Sequence, residues 1–112
     1  ILLALMASGL NGQRFAFHGY LPVNINERIK KILELEKTSK AFDQTEIFIE
    51  APYRNRRLLQ SLLDTCRDTT LLCLATDITL ESEYIATKHV SEWISGLPDI
   101  NRRPTVFLLY AG

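Results

Sequence analysis

The sequence predicts an α/β domain: a mixed sheet of about five strands flanked by helices. Three observations predict it. Stretches with apolar residues at helical spacing alternate with short runs of β-branched and aromatic residues, the order expected of helices laid on a sheet. One run, Thr70 to Ala75, is almost continuously apolar, as a central strand covered on both faces requires. The 112 residues are 46% hydrophobic and 23% charged, the balance of an ordinary globular chain. A chain of this size buries roughly two thirds of its unfolded surface, enough for a core without staples.

Ile1 to Ala7 is apolar and helix-like, and Ser8-Gly9-Leu10-Asn11-Gly12 closes it, since Gly and Asn accept the left-handed backbone of a helix stop. The chain opens inside this stretch without an initiator Met, so it is expected to be a fragment whose first element begins upstream. Phe15, Phe17 and Gly19-Tyr20-Leu21 read as a strand that Pro22 ends. Asn24 with Glu27 is a capping-box arrangement for a helix whose stripe is Ile29, Ile32, Leu33 and Glu36. Thr45 to Ile49 is the second strand, punctuated by Pro52. Asn55 is the expected cap of a helix with the stripe Leu58, Leu59, Leu62, Leu63 and Cys66. After the Thr70 to Ala75 strand come a shorter strand, Glu83 to Thr87, and a compact helix. Val90, Trp93, Ile94 and Leu97 form its apolar side, and Gly96 and Pro98 stop it. Arg102-Arg103-Pro104 leads into the last strand, Thr105 to Tyr110.

Thirteen basic and thirteen acidic side chains give zero formal charge, so any nucleic-acid contact must come from a local patch. Arg54, Arg56, Arg57, Arg102 and Arg103 are the candidates for one, against a solvated helix start. Cys66 and Cys73 read as buried thiols of a cytosolic protein rather than a disulfide. His18 and His89 have no partner at metal-ligand spacing, so no metal site is expected. No stretch is long and apolar enough to span a membrane. The common glycine-rich cofactor loops and nucleophile motifs are absent from this sequence. Glu46 and Glu50 share a strand face, which a solvated surface explains better than a carboxylate pair.

The most specific text is Ile47-Phe48-Ile49-Glu50-Ala51-Pro52-Tyr53-Arg54. An apolar strand runs into a Pro-controlled turn, delivering a carboxylate, an aromatic ring and a guanidinium at the strand's carboxyl end, where open α/β sheets bind ligands. Packing of Tyr53 and an ion pair for Arg54 is the plainer account.

Together with Ala4 to Leu10, Arg14-Phe15 to Gly19-Tyr20-Leu21-Pro22, and Ala75-Thr76-Asp77-Ile78-Thr79, these blocks resemble the second domain of the tetrapyrrole methylase superfamily. Within it they resemble most the branch of ribosomal RNA small-subunit cytidine 2'-O-methyltransferases. The resemblance implies residues 1–12 as the end of an interdomain linker and 13–112 as the C-terminal domain of a two-domain cytoplasmic enzyme. S-adenosylmethionine (SAM) would lie between this domain and an N-terminal one, so the chain alone would be inactive. By the same resemblance, Glu50, Ala51, Pro52, Asp77, Ile78, Tyr110 and Ala111 would meet the cofactor. Tyr53 and Arg54 would face the substrate, no catalytic base is assigned, and a homodimer acting on ribosomal RNA is implied. The family turn Glu-Ser-Pro-His-Arg is here Glu50-Ala51-Pro52-Tyr53-Arg54, and Thr76 and Asp77 replace its Arg and Glu. A uroporphyrin-type tetrapyrrole C-methyltransferase and a non-catalytic α/β interaction module are the alternatives.

Overall fold

The computed structural model describes residues 1–112 and gives the order α1 (Leu2–Ser8), β1 (Phe15–Tyr20), α2 (Ile25–Phe42), β2 (Thr45–Ile49), a 3₁₀ turn (Pro52–Arg54), α3 (Asn55–Thr65), β3 (Leu71–Thr76), β4 (Tyr84–His89), α4 (Val90–Ile94) and β5 (Thr105–Tyr110). The five strands form one mixed sheet in the order β1-β2-β5-β3-β4. β1 and β2 are parallel, and every other pairing is antiparallel. Thr70 to Ala75 lies inside the sheet as expected, although β5 is the middle strand.

Alternation along each strand divides the core. Phe48, Leu72, Leu74, Phe107 and Leu109 point to the face covered by α2, α3 and α4, where Ile32, Leu35, Leu58, Leu59, Leu62 and Trp93 meet them. Phe48 and Phe107 are opposite each other in the β2–β5 pair and their rings stack at 5.7 Å. The other face (Ile47, Cys73, Ala75 and Leu108) is covered by the one short helix α1 through Ala4 and Leu5. Leu2, Leu3 and Met6 of α1 and Phe15 and Phe17 of β1 remain exposed. Both cysteines are free and buried. Burial pushes both thiols up, with the neighbouring Glu36 adding to the effect at Cys66.

The caps show how far local signals reach. Asn24 accepts from the Glu27 amide at 3.1 Å, as its position predicts. Asn24→Ala is expected to cost about 1 kcal/mol, read as a lower urea midpoint at unchanged slope. Gly9 closes α1 with φ of 73°.

Three expectations are corrected. The buried row of α2 is Arg28, Ile32, Leu35, Glu36 and Ser39, while Leu33 is exposed. The polar members are tolerated because each is paired: Arg28 donates to Ser61 Oγ, Glu36 accepts from the Arg67 amide and the Thr70 hydroxyl, and Ser39 donates to the Gln44 carbonyl. Asn55 is the first residue of α3 and not its cap. It is buried, and its amide donates to the carbonyls of Ile100 and Arg103. α4 is a single short turn of helix that buries Val90 and Trp93 only, leaving Ile94 and Leu97 exposed.

Candidate functional site

β1, β2 and β3 all run in one sense, so their carboxyl ends share one edge of the sheet, and β5 begins there. Four segments meet along it: Gly19 to Pro22, Glu50 to Arg54, Asp77 to Thr79 and Arg102 to Pro104. They are stitched by backbone. The Arg102 amide donates to the Pro52 carbonyl and the Asp77 amide to the Pro104 carbonyl, each at 2.9 Å. Three of the four non-glycine residues with positive φ lie here: Asp77 (52°), Thr79 (72°) and Arg102 (64°). Gly19 (68°) joins them beside an irregularity in the β1–β2 register. For β-branched Thr79 such a backbone is a real departure from preference, and departures of this kind gather at binding edges.

Glu50 is the first residue past β2, and its side chain is 1% exposed. Oε1 accepts from the Ala51 amide at 2.7 Å and from Arg54 Nε at 3.2 Å. Oε2 is buried with no protein partner. A buried carboxylate oxygen without a donor costs desolvation energy, so this atom suits a ligand's N–H or O–H. The Arg54 guanidinium also lies over the Tyr53 ring at 4.7 Å and donates to its hydroxyl. Tyr53 is itself exposed. Tyr and Arg thus form one stacked unit on the rim, a flat cationic surface of the kind that receives a base or a phosphate.

At the neighbouring strand end, Asp77 is held by Arg103. Nε reaches Asp77 Oδ2 at 2.8 Å, while Nη1 and Nη2 donate to the carbonyls of Asp99 and Ser82 at 2.9 and 2.7 Å. The Ser82 hydroxyl also donates to Asp77 Oδ2. Hydrogen bonds from Arg103 and then Ser82 hold the Asp77 carboxyl below its usual range. A carboxyl lowered on folding contributes stability above its unfolded value of about 3.9 and loses it as pH falls through the folded value. The stability gap between wild type and Asp77→Asn is therefore expected in full at pH 6 and should narrow progressively as pH falls below about 4, as read by urea unfolding across that range.

The structure brings together Glu50, Ala51, Pro52, Tyr53, Arg54, Asp77 and Ile78. It does not bring Tyr110 and Ala111 to them. β5 is antiparallel to β2 and β3, so its carboxyl end lies at the opposite edge, where Tyr110 stands against Leu71 at the start of β3. There the Tyr110 hydroxyl donates to Asp43, which holds the phenol above its ordinary value, and the Ala111 amide donates to Ser39 Oγ.

Glu46 and Glu50 are not a solvated pair, because both are buried. Glu46 is occupied by His18 at 2.6 Å and by the Gln44 amide. The candidate arginine patch is largely neutralised: Arg54 faces Glu50, Arg103 faces Asp77 and Arg56 lies 3.7 Å from Asp99. Arg103, whose guanidinium ties together Asp77, Ser82 and Asp99, was legible only as part of that patch. Its Arg-Pro setting before a strand was the available signal.

Ribosomal RNA small subunit methyltransferase I of Vibrio cholerae is 34% identical over 103 residues, 92% of this chain and 34% of that protein. The Haemophilus influenzae protein of the same name is 31% identical over 102 residues, 88% of this chain and 34% of its own length. The chain thus spans about a third of the length of these relatives. Among solved structures, the methyltransferase CobJ superposes with a TM-score of 0.61 at 20% identity, over 98% of this chain and 47% of that one. The uroporphyrin-III C-methyltransferase of Thermus thermophilus, solved with S-adenyl homocysteine, gives 0.51 at 18% identity, over 96% of this chain and 48% of that one. These two likenesses establish a common fold. No protein-family model matches the chain.

Proposed function

We propose, on the premise that this chain belongs to the tetrapyrrole methylase superfamily alongside its ribosomal RNA small-subunit methyltransferases, that it is the second domain of a SAM-dependent enzyme methylating a ribose 2'-hydroxyl of ribosomal RNA. The likeness to the Vibrio cholerae protein along 92% of the chain carries the reading. Residues 1–12 lead in from a first domain and residues 13–112 form the second. The complete enzyme is cytoplasmic, and no helix of this chain is long and apolar enough to cross a membrane.

SAM, when bound, supplies a methyl group on a positively charged sulfur. This chain contributes one wall. Glu50, Ala51 and Pro52 offer backbone and the free Oε2, and Asp77 and Ile78 offer the strained turn beside them. Tyr53 and Arg54 take the RNA side, and Tyr110 and Ala111 are left out of the wall. Displacement at a sulfonium gains most from alignment and exclusion of water, which rigid strand ends supply. The hydroxyl must also lose a proton, and no side chain here is assigned to take it. The exposed apolar residues Leu2, Leu3, Met6, Phe15 and Phe17 suit a second copy of the complete enzyme.

The complete protein, labelled SAM and two acceptors test the proposal. Label is expected in unmodified small ribosomal subunits and not in uroporphyrinogen, and the reverse result would make the enzyme a tetrapyrrole C-methyltransferase. In calorimetry the complete protein should bind SAM at least about 100-fold more tightly than residues 1–112, a difference of about 2.7 kcal/mol. Equal binding would contradict a shared pocket.

A further inference from the structure

At the far end of the domain from the Glu50 edge, α2 and the end of α3 enclose a groove of about 480 Å³. Lys37, Lys40 and Arg67 line it, with Leu33 and Ala41 between them and Glu36 at its base. The three cations are exposed, and none of them takes part in any of the ion pairs. Glu36 is the one acid among the lining residues, so the groove carries three positive charges against one negative. Glu36 is buried and its Oε2 is taken up by the Arg67 amide and the Thr70 hydroxyl. Glu34 lies outside the lining and pairs with Lys31.

The spacing is ordered. Lys37 and Lys40 are three residues apart on α2 and so share a face. Lys30, also exposed and outside the ion pairs, continues the row towards the Glu50 edge, so that Lys30 to Lys40 spans about 15 Å along the helix axis at 1.5 Å per residue. Arg67 faces this row from the α3 side with its amide pinned to Glu36, so the guanidinium stands on fixed backbone. Cations in a row along a helix, outnumbering the acids of the groove in which they end, are the footprint of a polyanion. In a chain of zero net charge such a concentration is local and directional.

We infer that this groove docks the phosphodiester backbone of the RNA substrate, away from the methylated nucleotide. The inference rests on the RNA reading above and adds a second contact to it. Phosphate contacts fix register without reading sequence, and an acceptor as large as a ribosomal subunit can reach both ends of the domain at once.

The test uses the complete enzyme, small ribosomal subunits and the K37E/K40E/R67E variant, with K37Q/K40Q/R67Q as a milder form. The charge-reversed enzyme should show KM for the subunit raised roughly tenfold or more near 0.1 M salt, with kcat and SAM affinity unchanged. The slope of log KM against log salt should fall by about 2, three contacts at roughly 0.7 each, and the neutral variant should fall between. Unchanged KM and salt slope in both variants would overturn the groove while leaving the methyltransferase reading intact. A wild-type enzyme that transfers no methyl group to the subunit would overturn both.

Discussion

Trp93→Ala is expected to cost about 3–5 kcal/mol, much of the 5–15 kcal/mol that holds an ordinary domain together. With a urea slope of about 2 kcal/mol/M, the midpoint should fall by roughly 2 M. Trp93 is fully buried in a helix of only five residues, too short to be stable by itself. The side chain therefore anchors α4, not the reverse. It packs into the main core, donates Nε1–H to the Leu72 carbonyl at 2.8 Å, and lies beneath the Lys88 ammonium at 4.7 Å. Trp93→Phe keeps most of the apolar area and loses the N–H, so about 1–2 kcal/mol is expected. A midpoint shift below about 0.5 M for the alanine variant would mean that α4 is held by something else.

The strands were legible because their signals are local. Thr45 to Ile49 has the boundaries its β-branched pattern gives, and Leu58, Leu59, Leu62, Leu63 and Cys66 are all buried. What could not be read was decided by partners distant in the chain. Asn55 has the composition of a cap, but carbonyls 45 and 48 residues later draw it inward. Glu36 falls on the helix's inward stripe by spacing, but what makes its burial and that of Arg28 tolerable, the folding of Ser61, Arg67 and Thr70 against them, lies far along the chain.

The strand ends were legible, but which of them share an edge of the sheet was not, for a topological reason. Motif blocks give the ends of strands but not the direction in which each strand runs. β2 and β3 share a direction and so deliver Glu50 and Asp77 to one edge, whereas antiparallel β5 carries Tyr110 and Ala111 away. The absence of a partner for Glu50 Oε2 is a property of the folded edge, and no spacing rule contains it.

That atom sets the largest functional effect expected. In the complete enzyme Glu50→Gln should weaken SAM binding by roughly ten- to 150-fold, the equivalent of losing a 1.5–3 kcal/mol hydrogen bond to a charged group. Gln retains the shape of Glu, but an amide oxygen placed to serve the Ala51 N–H leaves an NH₂ where Oε2 stands, and two donors then face each other. Glu50→Asp keeps the charge but withdraws it by one methylene, so an intermediate loss is expected. Arg54→Gln separates this effect from damage to the turn. It breaks the same ion pair while sparing Oε2, so it should raise KM for RNA and leave SAM affinity within about threefold. Calorimetry with SAM, alongside thermal midpoints for all three variants, decides between the two roles. Equal weakening by Glu50→Gln and Arg54→Gln would reduce Glu50 to a brace for the Pro52 turn, whereas weakening confined to the Glu50 variants places a ligand donor on its free oxygen.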